Sequence, residues 1–275
     1  MSQNLISSLD LVHRVVGAAV AYTIARMQVL ERIAGNPAGI AYQMHGPVAA
    51  LMARNLPSVN FNSVHGLRKG QAEQIRPLVE WYRGHGVQAR FEIAAGDYDH
   101  ELGRELTALG FFQSGCHAAL IGQIDHTPPP LAHAPVELVE TAEQMEDFLS
   151  AYVLGWGFPE AIHDQFKSNV RPWLGQPGWS LYLMRVGGRP AAEAVLFMHG
   201  GVAYIADCAT DPAFRGRGLQ VALLGRCIQE AKNANAEFVC SGADFLSTSH
   251  RNMERAGLRL LSLRFIWTQL ERGTF

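Results

Sequence analysis

The run Ala206-Asp-Cys-Ala-Thr-Asp-Pro-Ala-Phe-Arg-Gly-Arg-Gly-Leu-Gln-Val-Ala-Leu-Leu224 passes from an apolar strand through a turn into a helix. Gly216 and Gly218 carry no Cβ, so a ligand can approach the backbone closely there. The amides that follow, to Val221, fall at the positive end of the helix dipole, where N–H groups without an intrahelical acceptor can hold an anion. Arg215 and Arg217 add two positive charges beside them, which suits a pyrophosphate. A glycine-rich turn that merely starts a helix is the plainer alternative, and a lone G-x-G does not choose between the two.

Outward from this segment the hydrophobic period alternates between that of strands and that of helices. Upstream it predicts helices over 142–154 and 161–174 and strands over 181–186, 191–199 and 202–209. Downstream it predicts a helix over 219–231, a strand at 238–241, a helix over 249–255 closed by Gly257-Leu258, and a last strand at 260–269. The first half has the same order: a helix over 5–33, strands at 39–45, 48–54 and 59–64, then a helix over 71–84. A strand at 89–93, a helix over 101–109, Gly110-Phe111-Phe112 and a strand at 118–124 complete it. One constant offset sets Phe91 on Phe238, Asp97 on Asp244, Arg104 on Arg251 and Gly110 on Gly257, the mark of an internal duplication.

The expected architecture is therefore α/β (α+β): two tandem domains, each a mixed, mostly antiparallel twisted sheet flanked by helices. The expected boundaries are 1–126 and 136–275. The connecting stretch Thr127-Pro-Pro-Pro-Leu-Ala-His-Ala-Pro135 holds four prolines, which remove amide donors and favour an extended linker. His126 and His133 beside it have no further ligands at metal spacing and read as solvated linker histidines; no metal is expected.

Composition narrows the function. With 275 residues and 48% hydrophobic content, the chain has room for two cores. Against 23 Lys and Arg stand 25 Asp and Glu, a net charge of −2, so no broad positive field is available for nucleic acid. The stretch from Leu11 to Leu30 is interrupted by His13, Arg14 and Arg26 and falls short of a membrane span. No basic region precedes an apolar run at the N-terminus, so no secretory signal is read. The four cysteines, Cys116, Cys208, Cys227 and Cys240, lack ligand spacing and read as reduced, packed thiols, and a cytoplasmic setting is expected.

The segment Asp211-Pro-Ala-Phe-Arg-Gly-Arg-Gly-Leu-Gln220 resembles motif A of the GNAT N-acetyltransferase superfamily, whose pattern is Arg/Gln-x-x-Gly-x-Gly/Ala. Ser247-Thr-Ser-His-Arg-Asn-Met-Glu-Arg-Ala-Gly-Leu258 resembles motif B of a branch of two-domain bacterial members. The resemblance covers about 138–269 well and the first half more loosely, as a degenerate GNAT-like domain. It implies a sheet whose strands splay around acetyl-coenzyme A. The pantetheine arm would pair with backbone at Cys208, Ala209 and Thr210, and the pyrophosphate would lie on the amides of Arg215, Gly216, Arg217, Gly218, Leu219, Gln220 and Val221. Two residues depart from the pattern. Gln220 stands where Gly or Ala is usual, and Met253 stands where many relatives carry the tyrosine that protonates the departing thiolate. Ser249 and Asn252, three apart on the motif B helix, either touch the coenzyme or serve as caps and surface polarity.

Amine acetylation requires a base to free the amine lone pair and a donor for the developing oxyanion, for which the Ala209 amide at a bulge is the candidate. A thiolate with pKa near ~8.5 leaves without an obligatory acid. Asp207, Tyr204 and Glu193 are the candidate bases; the alternatives are a turn cap, a half-buried strand aromatic and a solvent-facing carboxylate respectively. Trp156 and Phe158, in Gly155-Trp-Gly-Phe-Pro159, either form an acceptor wall or pack in the core. Arg171 either meets an acceptor carboxylate or ends a helix in solvent.

The reading is an acetyl-coenzyme A-dependent N-acetyltransferase acting on a primary amine of a small-molecule acceptor, with the second half catalytic. Its rivals are a non-catalytic coenzyme A sensor or carrier and an acyltransferase for other acyl groups. Neither a nucleic acid nor a membrane partner is expected, and the oligomeric state is left open. In the first half the equivalent segment is His65-Gly-Leu-Arg-Lys-Gly-Gln71, where Gly66 and Gly70 stand too far apart to supply successive amides, although Arg68 and Lys69 could attract phosphate.

Overall fold

Ser8 begins the first helix by accepting a hydrogen bond from Leu11 N (3.2 Å), which satisfies one of the orphan amides of the first turn. The computed structural model describes residues 6–56, 61–125 and 135–269. Of the expected linker only Pro135 is among them; His126 and His133 lie outside the described residues, as does the start of the strand expected at 59–64. The chain divides into two units, one holding 7–119 with 261 onward, the other holding 120–260.

In chain order the first unit has α1 (Leu9–Glu31), β1 (Ile40–His45), β2 (Val48–Ala53), β3 (Ser63–His65), α2 (Ile75–Gly84), β4 (Arg90–Ala94), α3 (His100–Ala108) and β5 (Phe111–Gly122). The second has β6 (Val136–Leu138), α4 (Ala142–Gly155), α5 (His163–Val170), β7 (Trp179–Val186), β8 (Arg189–His199), β9 (Val202–Thr210), α6 (Leu219–Asn233), β10 (Phe238–Asp244) and α7 (Thr248–Arg255), and β11 (Arg259–Gln269) follows. Strand order is β1-β2-β3-β4-β11-β5 in the first unit and β10-β9-β8-β7-β6 in the second. No helix among the described residues is long and apolar enough to cross a membrane.

The duplication is visible in the pairing. β1, β2 and β3 run antiparallel in turn and β3 pairs in parallel with β4; β7, β8, β9 and β10 repeat that pattern. Phe91 and Phe238 both sit on the strand that enters in parallel. Gly110 and Gly257 both follow a helix with φ of 83° and 94°, the left-handed position that ends a helix without a Cβ penalty.

Two differences from the sequence reading have plain causes. β5 starts at Phe111, seven positions before the expected 118, because Phe111 is buried against Phe91 (ring centroids 5.1 Å) in the first unit's core and so continues the strand backward. The last strand, expected to close the second domain, pairs antiparallel with β4, from Arg264↔Ala94 to Thr268↔Arg90. Phe265 and Trp267 lie against Tyr98 at 5.5 and 5.9 Å, and Trp267 joins the core of α2, α3 and β4. Arg264 completes a buried network in which Glu92 receives Arg90 and Arg264, each at 3.0 Å, a polar match that ties β11 to β4. Burial pushes the Glu92 carboxyl up, but Arg264 with His65 and Arg90 outweighs it and holds the group down at about 2.

Candidate functional site

β9 and β10 pair in parallel only from Val202↔Phe238 to Ile205↔Ser241. Beyond that rung β9 continues to Thr210 and β10 to Asp244 without pairing to each other. The Ser241 hydroxyl closes the fork by donating to the Ile205 carbonyl at 2.8 Å. On the other side of β9 the ladder with β8 shifts: Val195 faces Ala206 and Glu193 faces Ala209, so Asp207 and Cys208 together oppose Ala194. That is a β-bulge, with Asp207 held at φ 41°, a region that non-glycine residues seldom occupy. The bulge expected near Ala209 is thus present, two residues upstream of it.

The turn after β9 is fixed by Asp211, whose carboxylate accepts from Ala213 N (2.9 Å) and whose amide donates to Ala191 O (2.9 Å) on β8. Gly216 and Gly218 take φ of 76° and 77°, and a Cβ at Gly216 would meet only open space. α6 begins at Leu219 with Gly218 as its N-cap and no side chain capping it, so the first-turn amides of Leu219, Gln220 and Val221 remain for an outside acceptor. The turn and helix start together leave a row of amides that could hold an anion.

Arg215 is committed otherwise than expected. Its amide donates to Pro212 O (3.4 Å), and its guanidinium donates to Thr210 O and to Gly155 O, both at 3.2 Å. Gly155 ends α4, where carbonyls lack intrahelical donors and the dipole favours a cation. Arg217 lies over the Phe214 ring at 5.5 Å, and Arg189, from the start of β8, lies over the same ring at 5.3 Å. Arg189 escaped the sequence reading because 21 residues of strand and turn lie between it and Asp211, where the motif begins.

Gln220, Ser249 and Asn252 come together. Gln220 Nε2 donates to Cys208 O (3.2 Å) and Ser249 Oγ (3.1 Å), while Asn252 Nδ2 donates to Gln220 Oε1 (2.7 Å). Arg255 in turn donates to Asn252 Oδ1 (2.7 Å). The glutamine at the Gly/Ala position therefore joins β9, α6 and α7 beside the fork. Met253 is buried in α7.

The candidate bases are separated. Asp207 is half-buried within the fork, whereas Tyr204 sits in the paired part of β9 between Phe197 and Cys240. Glu193 is fully buried on β8, which removes its solvent-facing alternative. Burial pushes the Cys208 thiol up, and the Glu193 charge adds to this; the same causes act on Cys227. Neither thiol is a ready nucleophile.

On α4 the two aromatic candidates also part. Phe158 stacks on Phe166 of α5 (3.9 Å, 13°) and fills the α4–α5 corner. Trp156, 47% exposed, projects from the C-terminus of α4 one residue after Gly155. A Cβ on Gly155 would lie 2.9 Å from Ala209 Cβ and 3.2 Å from Thr210 N, so α4 presses directly on the end of β9. Arg171 pairs with Glu146 through two bonds of 2.8 and 3.0 Å and is not presented to an acceptor.

In the first unit β3 has three residues where β9 has nine, so no fork opens beside β4. The chain leaves β3 at Gly66, φ 79°, where a Cβ would fall 1.9 Å from Pro47 O. The amide of Gly70 donates to the Asp99 carboxylate (2.9 Å), which also caps α3 through Leu102 N (2.9 Å). An amide of that turn is thus already bonded to a carboxylate of the chain itself. Among the described residues no group of three or more His, Cys, Asp or Glu is placed to hold a metal.

Residues 131–246 match the family of the acetyltransferase (GNAT) domain. No curated protein sequence matches the chain. Among solved structures, a GCN5-related N-acetyltransferase from Kribbella flavida is 15% identical, with 93% of this chain and 97% of that one covered and a TM-score of 0.66. A functionally unknown conserved protein from Staphylococcus epidermidis is 14% identical, covering 82% and 92%, with a TM-score of 0.63. A tandem GNAT protein from the clavulanic acid biosynthesis pathway is 12% identical, covering 91% and 95%, with a TM-score of 0.58. At such identities the likeness to these structures establishes the fold alone, and the match to the acetyltransferase (GNAT) domain is confined to residues 131–246.

Proposed function

We propose that this chain is an acetyl-coenzyme A-dependent N-acetyltransferase for a primary amine of a small molecule, with its one coenzyme site in the second unit. The fork beyond Ile205 and Ser241, opening beside the cradle at Gly216–Val221, is the observation that carries this reading. The edge of β9 that β10 leaves unpaired beyond Ile205 suits the amides of a pantetheine arm, and the α6 amides suit the pyrophosphate. The coenzyme would supply the acetyl thioester. The residues present fit it: the cradle is open at Gly216, and among the described residues no side chain caps the start of α6.

Asp207 is the base favoured by position, since it stands inside the fork at the bulge, next to the segment that would hold the thioester carbonyl. Its carboxylate would take the ammonium proton before attack, and the amide of Ala209 would stabilise the oxyanion. With Met253 in place of an acid, the thiolate leaves unassisted, and the first unit binds no nucleotide.

The test is steady-state thiol release from acetyl-coenzyme A with a panel of amines. Asp207→Asn keeps the shape and tolerates the positive φ, and it should lower turnover tenfold or more with coenzyme affinity within a few fold. A loss with Tyr204→Phe in its place moves the base to Tyr204. Tight coenzyme binding with no turnover on any amine would favour a sensor or carrier, and faster turnover with longer acyl-coenzyme A would favour a different acyl group.

A further inference from the structure

The coenzyme reading leaves one feature beside the cradle unused. Phe214, 7% exposed, has two guanidinium groups over its ring, Arg189 at 5.3 Å and Arg217 at 5.5 Å from its centroid. Both arginines are exposed. Among the described residues neither is in an ion pair. Asp211, the acid of this turn, is 7% exposed and committed to Ala213 N. Its amide, bonded to Ala191 O, fastens the turn to β8 two residues from Arg189, so the placement of Arg189 next to Phe214 is built into the fold.

Two cations held against one ring repel each other, and a dianion shared between them relieves that repulsion. A phosphate monoester carries about −1.5 to −2 at neutral pH and offers three acceptor oxygens to guanidinium forks. The pyrophosphate of coenzyme A is provided for by the α6 amides, which leaves its ribose 3′-phosphate. We propose that Arg189, together with Arg217, recognises the 3′-phosphate of coenzyme A, a proposal that rests on the coenzyme site described above. Arg189 then sets nucleotide specificity from a strand outside the glycine-rich motif, and the site discriminates against the coenzyme lacking that phosphate.

The test is calorimetric affinity for coenzyme A and for 3′-dephospho-coenzyme A at one fixed salt concentration. The unaltered protein is expected to prefer coenzyme A about tenfold or more, the scale of one or two charge-assisted hydrogen bonds. Arg189→Gln should remove most of that preference by weakening coenzyme A while leaving the dephospho form within twofold. Arg189→Lys, which keeps charge but loses the planar fork, should fall between. Because Arg189 is exposed, an unchanged melting temperature confirms that the variant is folded. No preference in the unaltered protein, or equal weakening of both nucleotides by Arg189→Gln, overturns the assignment and leaves the coenzyme site standing. Failure of the unaltered protein to bind either nucleotide overturns the coenzyme reading along with it.

Discussion

Gly155 and Gly84 are each the last residue of a helix, α4 and α2, and neither has a positive φ. In both places Gly→Ala should gain the helix propensity difference, about 0.8–1.0 kcal/mol, if nothing else intervened. At Gly84 a Cβ meets nothing within 4 Å, so Gly84→Ala should stabilise the protein by up to about 1 kcal/mol. At Gly155 the Cβ arrives 2.9 Å from Ala209 Cβ and 3.2 Å from Ala209 C and Thr210 N. Two of these are backbone atoms, which cannot swing aside, and overpacking of this kind costs about 1–3 kcal/mol. Gly155→Ala should therefore destabilise by about 1 kcal/mol, opposite in sign to its twin on α2. At about 2–4 °C per kcal/mol the two variants should melt on opposite sides of the unaltered protein. Relief requires α4 to move off β9, which displaces Trp156 and the Ala209–Thr210 segment together. Displacement on the scale of 1 Å costs up to about a hundredfold in rate, so turnover should fall at least tenfold. Differential scanning calorimetry and thiol-release assays of both variants check this. A Gly155→Ala protein as stable as Gly84→Ala, with undiminished turnover, would refute the argument that α4 is pressed onto the fork.

Gly218→Asp sets a carboxylate at the N-terminus of α6 and should weaken coenzyme binding by at least about 1.4 kcal/mol, tenfold, by calorimetry; unchanged affinity removes the cradle from the site. The first unit should lose stability in acid in two windows. Burial, with Arg264 and Arg90, holds His65 down to about 4 against Glu92, so between pH 6.5 and 4 the unfolded chain takes up a proton that the folded chain refuses, a loss of roughly 3 kcal/mol. Glu92, held at about 2, adds a loss as pH falls from 4.5 through 2, because its ion pairs contribute only while it is ionised. Thermal melts from pH 7 to 4 should show the first window, and His65→Gln should flatten it. A stop codon after Leu260 removes the partner strand of β4 and Trp267 from the core, and hydrogen exchange should rise in β1–β4, α2 and α3; protection unchanged there would mean that β11 is dispensable to that unit.

Much of the fold was legible because its signals are local. Strand and helix periods, Gly110 and Gly257 at helix ends, and the step from strand through Gly216 and Gly218 into α6 each depend on residues within a few positions of one another. Those same features located the cradle and the duplicated halves. The tertiary structure decided what depends on distant partners. The last strand carries a face of Phe265 and Trp267 that any sheet could accept, and only pairing with β4 and packing on Tyr98 assign it to the first unit. Arg215 reads as a phosphate ligand in its motif but faces the carbonyl of Gly155, sixty positions upstream, and Gln220 finds Ser249 and Asn252 on another helix. In the first half a long-range bond, Gly70 to Asp99, likewise places the chain's own carboxylate on an amide of the corresponding turn. Local sequence fixes backbone preference and polarity, whereas a side chain's role follows from which distant backbone or charge meets it once the chain has collapsed.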